Sequence, residues 1–232
     1  MNADGPVRLR CVHGFCLGPR SPGGAGLGGL WLGRRPSGAG PEAVAGGTVG
    51  SEGAPVSAPT ELPVPDTADV RSGPEVSQGL LSVLPLLGEW HGEGQAAGTA
   101  GDHRFGQWIR FAHDGRGFLA YDSRTWKLTD DGAVVGPDVR ESGFLRPGAE
   151  DDVEFLVASP DGLLELYLGV ARTTTSWEFT SDVIARTPDG PDVVHAVRLY
   201  GLVEGALMYA IDRAGSESEL RPVMSARLER IR

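Results

Sequence analysis

The chain is poor in cysteine, and both of its cysteines lie close to the N-terminus. Cys11 and Cys16 lie five residues apart, so they cannot cross-link a domain formed by the rest of the chain. With His13 they offer three potential metal ligands, whereas a tetrahedral structural site needs four. We therefore expect a fold that needs neither a disulfide nor a metal ion.

Long apolar runs are also absent from the sequence. No stretch approaches the roughly 20 apolar residues that a membrane-spanning helix needs. The basic residues Arg8 and Arg10 are followed only by a short apolar segment interrupted by His13, Gly14 and Pro19, which does not fit a secretory signal peptide. These features predict a cytoplasmic protein without a membrane partner.

The sequence lacks a surplus of basic residues. Its formal net charge is −10 at pH 7, and residues 1–73 are neutral with six acidic and six basic side chains. The rest of the chain therefore carries the whole negative surplus. A phosphate backbone is bound by basic surfaces, so we predict no nucleic-acid partner.

Recognisable catalytic motifs are missing as well. We find no nucleophile elbow G-x-S-x-G, no C-x-x-C, no phosphate-binding loop and no H-E-x-x-H zinc motif. The acidic clusters at 130–131 and 150–152 lie at predicted turns, where solvated loop charge is the simpler interpretation. The residues alone therefore indicate no catalytic group.

Aromatic residues are scarce in the first third of the chain. Residues 1–73 contain only Phe15 and Trp31, and 25 of these 73 residues are glycine or proline. Such a segment cannot bury enough apolar surface to offset its ordering entropy. We predict a disordered tail over 1–75 and one folded domain over 76–232. A start codon assigned too far upstream is a further hypothesis for the tail, which the intact mass of the native protein tests.

The folded part shows the two-residue period of β-strands. A short apolar segment, 76–87, with Ser77 as N-cap and Pro85 near its end, predicts a helical plug. After it, four Asp-Gly pairs mark hairpin turns, for which the type I′ geometry requires positive φ at both residues. Consecutive antiparallel hairpins without intervening helices predict an all-β, closed up-and-down barrel. The predicted strands are 87–95, 104–111, 118–127, 139–146, 153–158, 163–170, 173–184, 193–202, 206–211 and 222–231.

The first strand has an unusual pattern of glycine around one tryptophan. Gly88, Trp90, Gly92 and Gly94 alternate along the chain, so a strand places all four on one face. Either Trp90 plugs the base of a small barrel while the glycines let the sheet bend, or a ligand passes close across that face.

This G-x-W-x-G-x-G signature resembles that of the nitrobindins. The similarity continues through the segments 111–121, 123–126, 141–147, 161–165 and 198–205, in family order. The resemblance implies a ten-stranded barrel related to lipocalins and fatty-acid-binding proteins. It also implies a ferric haem b at the barrel mouth, which binds nitric oxide and isomerises peroxynitrite to nitrate.

Three positions depart from what this resemblance implies. The family's haem-ligating histidine corresponds to Val223, whose side chain has no lone pair, and a family lysine corresponds to Pro191. The segment 95–102 also differs from the family's Tyr-Pro-Thr-Ile stretch. We therefore expect no cofactor and no haem-binding residue, with an unknown small hydrophobic or planar ligand in its place. The sequence leaves the oligomeric state open, including a homodimer.

The alternative is a haem protein with the family's activity and a substitute axial ligand. Met224 can serve as such a ligand, but strand alternation would point it away from the face of Val223. Four histidines are further candidates: His91, His103 in the divergent loop, His113 and His195. We expect surface or structural roles for them, although His195 could face inward.

Overall fold

A computed structural model describes residues 62–98 and 101–231 of the chain. Ten antiparallel strands close into one barrel, in which every strand pairs with its sequence neighbours and β1 pairs with β10. This confirms the predicted all-β up-and-down barrel. The strands are β1 (Gly88–Ala96), β2 (His103–Ala112), β3 (Leu119–Leu128), β4 (Val134–Pro147), β5 (Asp152–Ser159), β6 (Leu163–Thr173), β7 (Ser176–Arg186), β8 (His195–Val203), β9 (Ala206–Ala214) and β10 (Arg221–Arg230).

The hairpin turns differ in detail from the type I′ prediction. Both turn residues have positive φ at Glu204-Gly205, with values of 53° and 84°. At the first three Asp-Gly pairs only the glycine does, and at the fourth neither residue does. The Gly162 N–H donates to the carbonyl of Ser159 at 3.1 Å, as in a type I turn followed by a left-handed glycine. Three Asp-Gly pairs thus mark hairpins, but their turns are not of type I′.

The predicted plug forms two short 3₁₀ turns, Gln78–Leu80 and Leu84–Leu86. Ser77 caps the first turn as expected, because its hydroxyl accepts from the N–H of Gly79. Two indoles hold the plug from inside the barrel: Trp90 Nε1 donates to the carbonyl of Leu86 at 2.9 Å, and Trp177 Nε1 donates to that of Ser82 at 2.8 Å. The plug therefore closes the end of the barrel at which β1 begins.

The glycines of β1 allow a close approach to β10. A Cβ atom on Gly92 would lie 2.2 Å from the carbonyl oxygen of Arg227, and one on Gly94 would lie 2.3 Å from that of Ser225. Trp90 is fully buried on the same face. The first of the two interpretations of this motif is therefore the better one. Trp90 fills the base of the barrel, and the glycines leave room for the atoms of the neighbouring strands.

Part of the predicted tail, within the described residues 62–75, lies against the barrel. Thr67 and His113 exchange backbone hydrogen bonds at 2.8 and 2.9 Å, and Arg110 donates to the carbonyl of Asp66 at 3.0 Å. Contacts with the barrel thus begin before the predicted boundary at residue 76. The prediction of disorder over residues 1–61, like the cysteine cluster, lies outside the described residues. Within the described ranges no helix has the length and apolarity to cross a membrane.

Candidate functional site

The barrel mouth lies at the end away from the plug. There β1 ends at Ala96, β2 begins at His103, β9 ends at Ala214 and β10 begins at Arg221. Val223 lies in this first part of β10, where it is half-buried against the hydrophobic core. The residue at the expected haem-ligand position therefore lies at the mouth.

Val223 is the extra residue of a β-bulge. Pro222 pairs with Asp212 and Met224 with Ile211, so Val223 has no partner in β9. Its carbonyl instead accepts from the N–H of Ala97 at 2.9 Å. A bulge interrupts the strict alternation of side chains, and both Val223 and Met224 pack against the core. The expectation that Met224 points away from the face of Val223 is therefore wrong.

Met224 belongs to an inward-facing row of residues across the sheet. It lies opposite Ile211 on β9 and opposite Ala96 on β1, and Ala96 lies opposite His103 on β2. Directly opposed residues of antiparallel strands share a face. Ile211 is buried, so Met224 and His103 face the interior at the mouth.

His103 is the first residue of β2, which corrects its assignment to the divergent loop. Its Nε2 lies 3.2 Å from a carboxylate oxygen of Asp138, which also accepts from the hydroxyl of Thr125 at 3.4 Å. The Lys127 ammonium lies 3.8 Å from the other oxygen of Asp138. The mouth is therefore polar on the side of β2, β3 and β4.

Three other histidines lie away from this row. His91 is exposed and stacks on Trp126 outside the barrel, with ring centroids 5.6 Å apart. His113 is fully buried near the plug, and its Nδ1 accepts from the N–H of Gly115. His195 begins β8, and its ring is hydrogen-bonded to the Ser181 hydroxyl. None of these contacts indicates a ligand site.

Pro191 lies in the connection between β7 and β8, also at the mouth end. The ladder between these strands stops at the pair Thr180 and Val197, and the chain then forms an irregular segment. Pro191 is half-buried, and its carbonyl accepts from the N–H of Val193 at 2.9 Å. Its ring offers no polar atom to a ligand.

A buried ionic cluster fills the interior below the mouth. The Arg198 guanidinium donates to both oxygens of Glu141 at 2.7 and 2.9 Å and to Glu165 at 2.8 Å. The hydroxyls of Tyr121 and Tyr167 donate to the same two carboxylates. Each charge is thereby paired and hydrogen-bonded, as burial of an ion requires.

The pKa of Glu141 shows how strong this pairing is. Burial alone would raise the pKa of this carboxyl, but the charge and hydrogen bonds of Arg198 outweigh burial and lower it to about 2. Burial raises the pKa of Tyr121, Tyr200 and Tyr209 above the ordinary value of a phenol. The cluster is thus ionised at Glu141 and Arg198, with neutral phenols around it.

This cluster was not identified from the sequence, although the pattern contains a signal for it. Arg198 alternates with the buried residues Ala196 and Tyr200 along β8. When a charged residue stands in an alternating row of apolar residues, either the strand is interrupted there or the charge has a buried ion-pair partner. Finding the partners required the barrel, because Glu141 and Glu165 lie on β4 and β6.

A cleft of about 770 Å³ lies on the outer surface of the barrel. It is formed mainly by strands β3 to β7, together with Asp66 and with Arg110 of β2. Its lining includes the exposed side chains of Phe144, Leu164 and Val183. Its lining contains no residue of β10. This surface is therefore separate from the mouth.

Residues 79–230 match a family described as "THAP4-like, heme-binding beta-barrel domain". The chain belongs to this family. It is 49% identical over 175 residues to a "Ferric nitrobindin-like protein" of Saccharopolyspora erythraea, covering 74% of this chain and 82% of that protein. It is 44% identical over 179 residues to "Peroxynitrite isomerase 2" of Mycobacterium tuberculosis, covering 73% and 79%.

The fold of this THAP4-like barrel also agrees with a solved structure. The crystal structure of Rv2717c from M. tuberculosis superposes with a TM-score of 0.61 at 27% sequence identity, covering 68% of this chain and all of that one. The resemblance to the nitrobindins is thereby confirmed at the level of family and fold.

The residues at the expected ligand position do not fit a ferric haem. Haem iron in proteins is held by the lone pair of a histidine, cysteine, methionine or tyrosine side chain. Val223 provides none, and its half-buried side chain packs on the core.

Proposed function

We propose that this chain is a nitrobindin-like barrel that does not hold haem and is not a working peroxynitrite isomerase. Its mouth binds a different small ligand, hydrophobic or planar. The observation that carries the proposal is Val223, which lies at the mouth in the bulge of β10. Loss of the axial bond removes the interaction that orients haem and tunes its iron.

The apolar part of the mouth supports ligand binding without that bond. Val223, Met224 and Ala96 are partly buried hydrophobic residues packed against the core. Binding sites for small molecules combine such apolar walls with a few polar groups, and His103 and Arg213 supply polar groups here. A flat apolar ligand can therefore be retained by burial of its surface.

Restoring the histidine tests this proposal. Hemin titrated into the parent protein should give a broad Soret band without a stoichiometric end point. Val223→His should give a sharper band of a histidine-ligated ferric haem, with incomplete rescue because Pro191 also replaces a polar family residue. Arg227→His is the matched control, because Arg227 is exposed on the outer face of the same strand. A rescue by the control as well would contradict the proposal.

A second candidate function is a haem protein that isomerises peroxynitrite with a substitute ligand. The observation that favours it is the inward-facing row that contains Met224 and His103. If the parent shows a ligated ferric spectrum, Met224→Leu and His103→Gln identify the ligand. The substitution that removes the ligated band without changing the thermal midpoint identifies the residue that binds the iron.

A further inference from the structure

Two arginines face each other across strands β9 and β10 at the mouth. Arg213 and Arg221 are direct Cα partners, and direct partners share a face of the sheet. Arg213 also lies opposite the buried Ala196 on β8, so this face is the interior one. Like charges placed directly opposite each other destabilise a sheet, unless a negative group lies between them.

The two arginines differ in how far they are neutralised. Arg213 Nη2 donates to the two oxygens of Glu165 at 3.1 and 3.2 Å, but its Nε is buried without an acceptor among the described residues. Arg221 is exposed, and no described carboxylate lies within ion-pair distance of it. Arg198 shares Glu165 and Glu141 with Arg213, which also lies 3.9 Å from Glu141, so two guanidinium groups match two carboxylates. The positive charge of Arg221, and the free Nε–H of Arg213, are therefore what this face leaves without a partner among the described residues.

The apolar residues of the mouth follow immediately after this pair. Arg221 is separated by a single residue from Val223, and Met224 comes next on the same strand. The order along β10 is thus a cation at the rim and then partly buried apolar side chains. A ligand that matches this order has a negative end and an apolar body.

From this arrangement we infer that the mouth binds an amphipathic carboxylate, with its acid group between Arg213 and Arg221 and its apolar body against Val223 and Met224. The inference rests on the proposed function, since it names the ligand class for the same site. Guanidinium groups bind carboxylates through paired, charge-assisted hydrogen bonds. An acid group there also separates the two like charges.

Matched probes with and without the charge test this inference. The probes are 11-(dansylamino)undecanoic acid and its methyl ester, titrated by fluorescence into the full-length protein. The parent should bind the acid about tenfold more tightly than the ester. Arg221→Gln should remove most of that preference and leave the ester unchanged, since Arg221 is exposed and its replacement leaves no buried charge. Arg227→Gln, on the outer face of β10, should change neither affinity.

The outcomes separate this inference from the proposed function. If the parent binds the acid and the ester with equal affinity, the carboxylate site is overturned. If Val223→Trp then still blocks both probes, the ligand site at the mouth stands. If Phe144→Asp abolishes binding and Val223→Trp does not, the ligand occupies the outer cleft and both proposals fail. The thermal midpoint of each variant is measured to confirm that it is folded. Arg213→Lys keeps a positive charge beside Glu165, so this variant should still bind the acid more tightly than the ester.

Discussion

At the scale of single residues, Glu141 and Arg198 decide how the interior can be polar and still stable. The pKa of Glu141 in the folded protein is about 2, against an ordinary value of 4.5. Because the folded value is the lower one, ionised Glu141 stabilises the fold above about pH 4.5. That stabilisation is lost as the pH falls from 4.5 through about 2.

Acid unfolding measures this contribution. We predict that Glu141→Gln lowers the free energy of unfolding at pH 6 by on the order of 3 kcal/mol, and that the gap from the parent narrows at pH 2.5. Urea unfolding at both pH values provides the measurement. Glu154→Gln is the control, since Glu154 pairs with Arg146 on the surface. A gap of equal size at both pH values would show that Glu141 acts through packing alone.

Single residues also show what the sequence could and could not predict. Trp90 was placed inside the barrel by its two-residue period with Gly88 and Gly92, and it is fully buried. The role of Arg198 was not predicted, because its partners are 57 and 33 residues away in the sequence. Local periodicity predicts which face of a strand a residue lies on. Ion pairs across the barrel interior cannot be predicted in this way, because they form only when the barrel closes.

At the scale of elements, the contact between β1 and β10 closes the barrel. Seven residue pairs join these strands, from Trp90 with Arg230 to Ala96 with Met224. The Arg230 guanidinium lies 4.1 Å from the centroid of the Trp90 ring and donates to the carbonyls of Pro85 and Leu87 in the plug. The end of β10 thereby fixes both the first strand and the plug.

A methyl group at Gly92 should disturb this seam. A Cβ atom there would lie 2.2 Å from the Arg227 carbonyl oxygen and 2.8 Å from the Cα of Leu228, and backbone atoms cannot move aside cheaply. We predict that Gly92→Ala lowers the free energy of unfolding by about 1–3 kcal/mol, the range for overpacking. Gly136→Ala on β4, where nothing lies within 4 Å, should change it by less than about 0.5 kcal/mol. Equal effects in denaturant unfolding would contradict the close approach.

Elements were predicted well where a repeating pattern defines them and less well where it breaks. The ten strands follow from alternation, although β4 begins at Val134 rather than at 139. The bulge at Val223 could not be predicted, because one extra residue in a strand leaves no mark in composition. That bulge is what brings both Val223 and Met224 against the core.

At the scale of the whole barrel, the two ends differ in how they are filled. The plug and the indoles of Trp90 and Trp177 fill one end, and the ionic cluster around Arg198 fills the interior. The mouth keeps the apolar residues Val223 and Met224 beside polar groups. Family and fold could be predicted from ordered motifs, whereas the ligand could not, since the mouth is assembled from strands distant in sequence.

The most direct test of the central proposal is the haem content of the protein produced with an ample haem supply. The chain is purified without added hemin, and haem b is quantified per chain by its pyridine haemochrome spectrum. With Val223 at the expected ligand position, we predict a haem content far below one per chain and no Soret band of an axially ligated ferric haem. One haem b per chain with such a band would contradict the loss of haem binding.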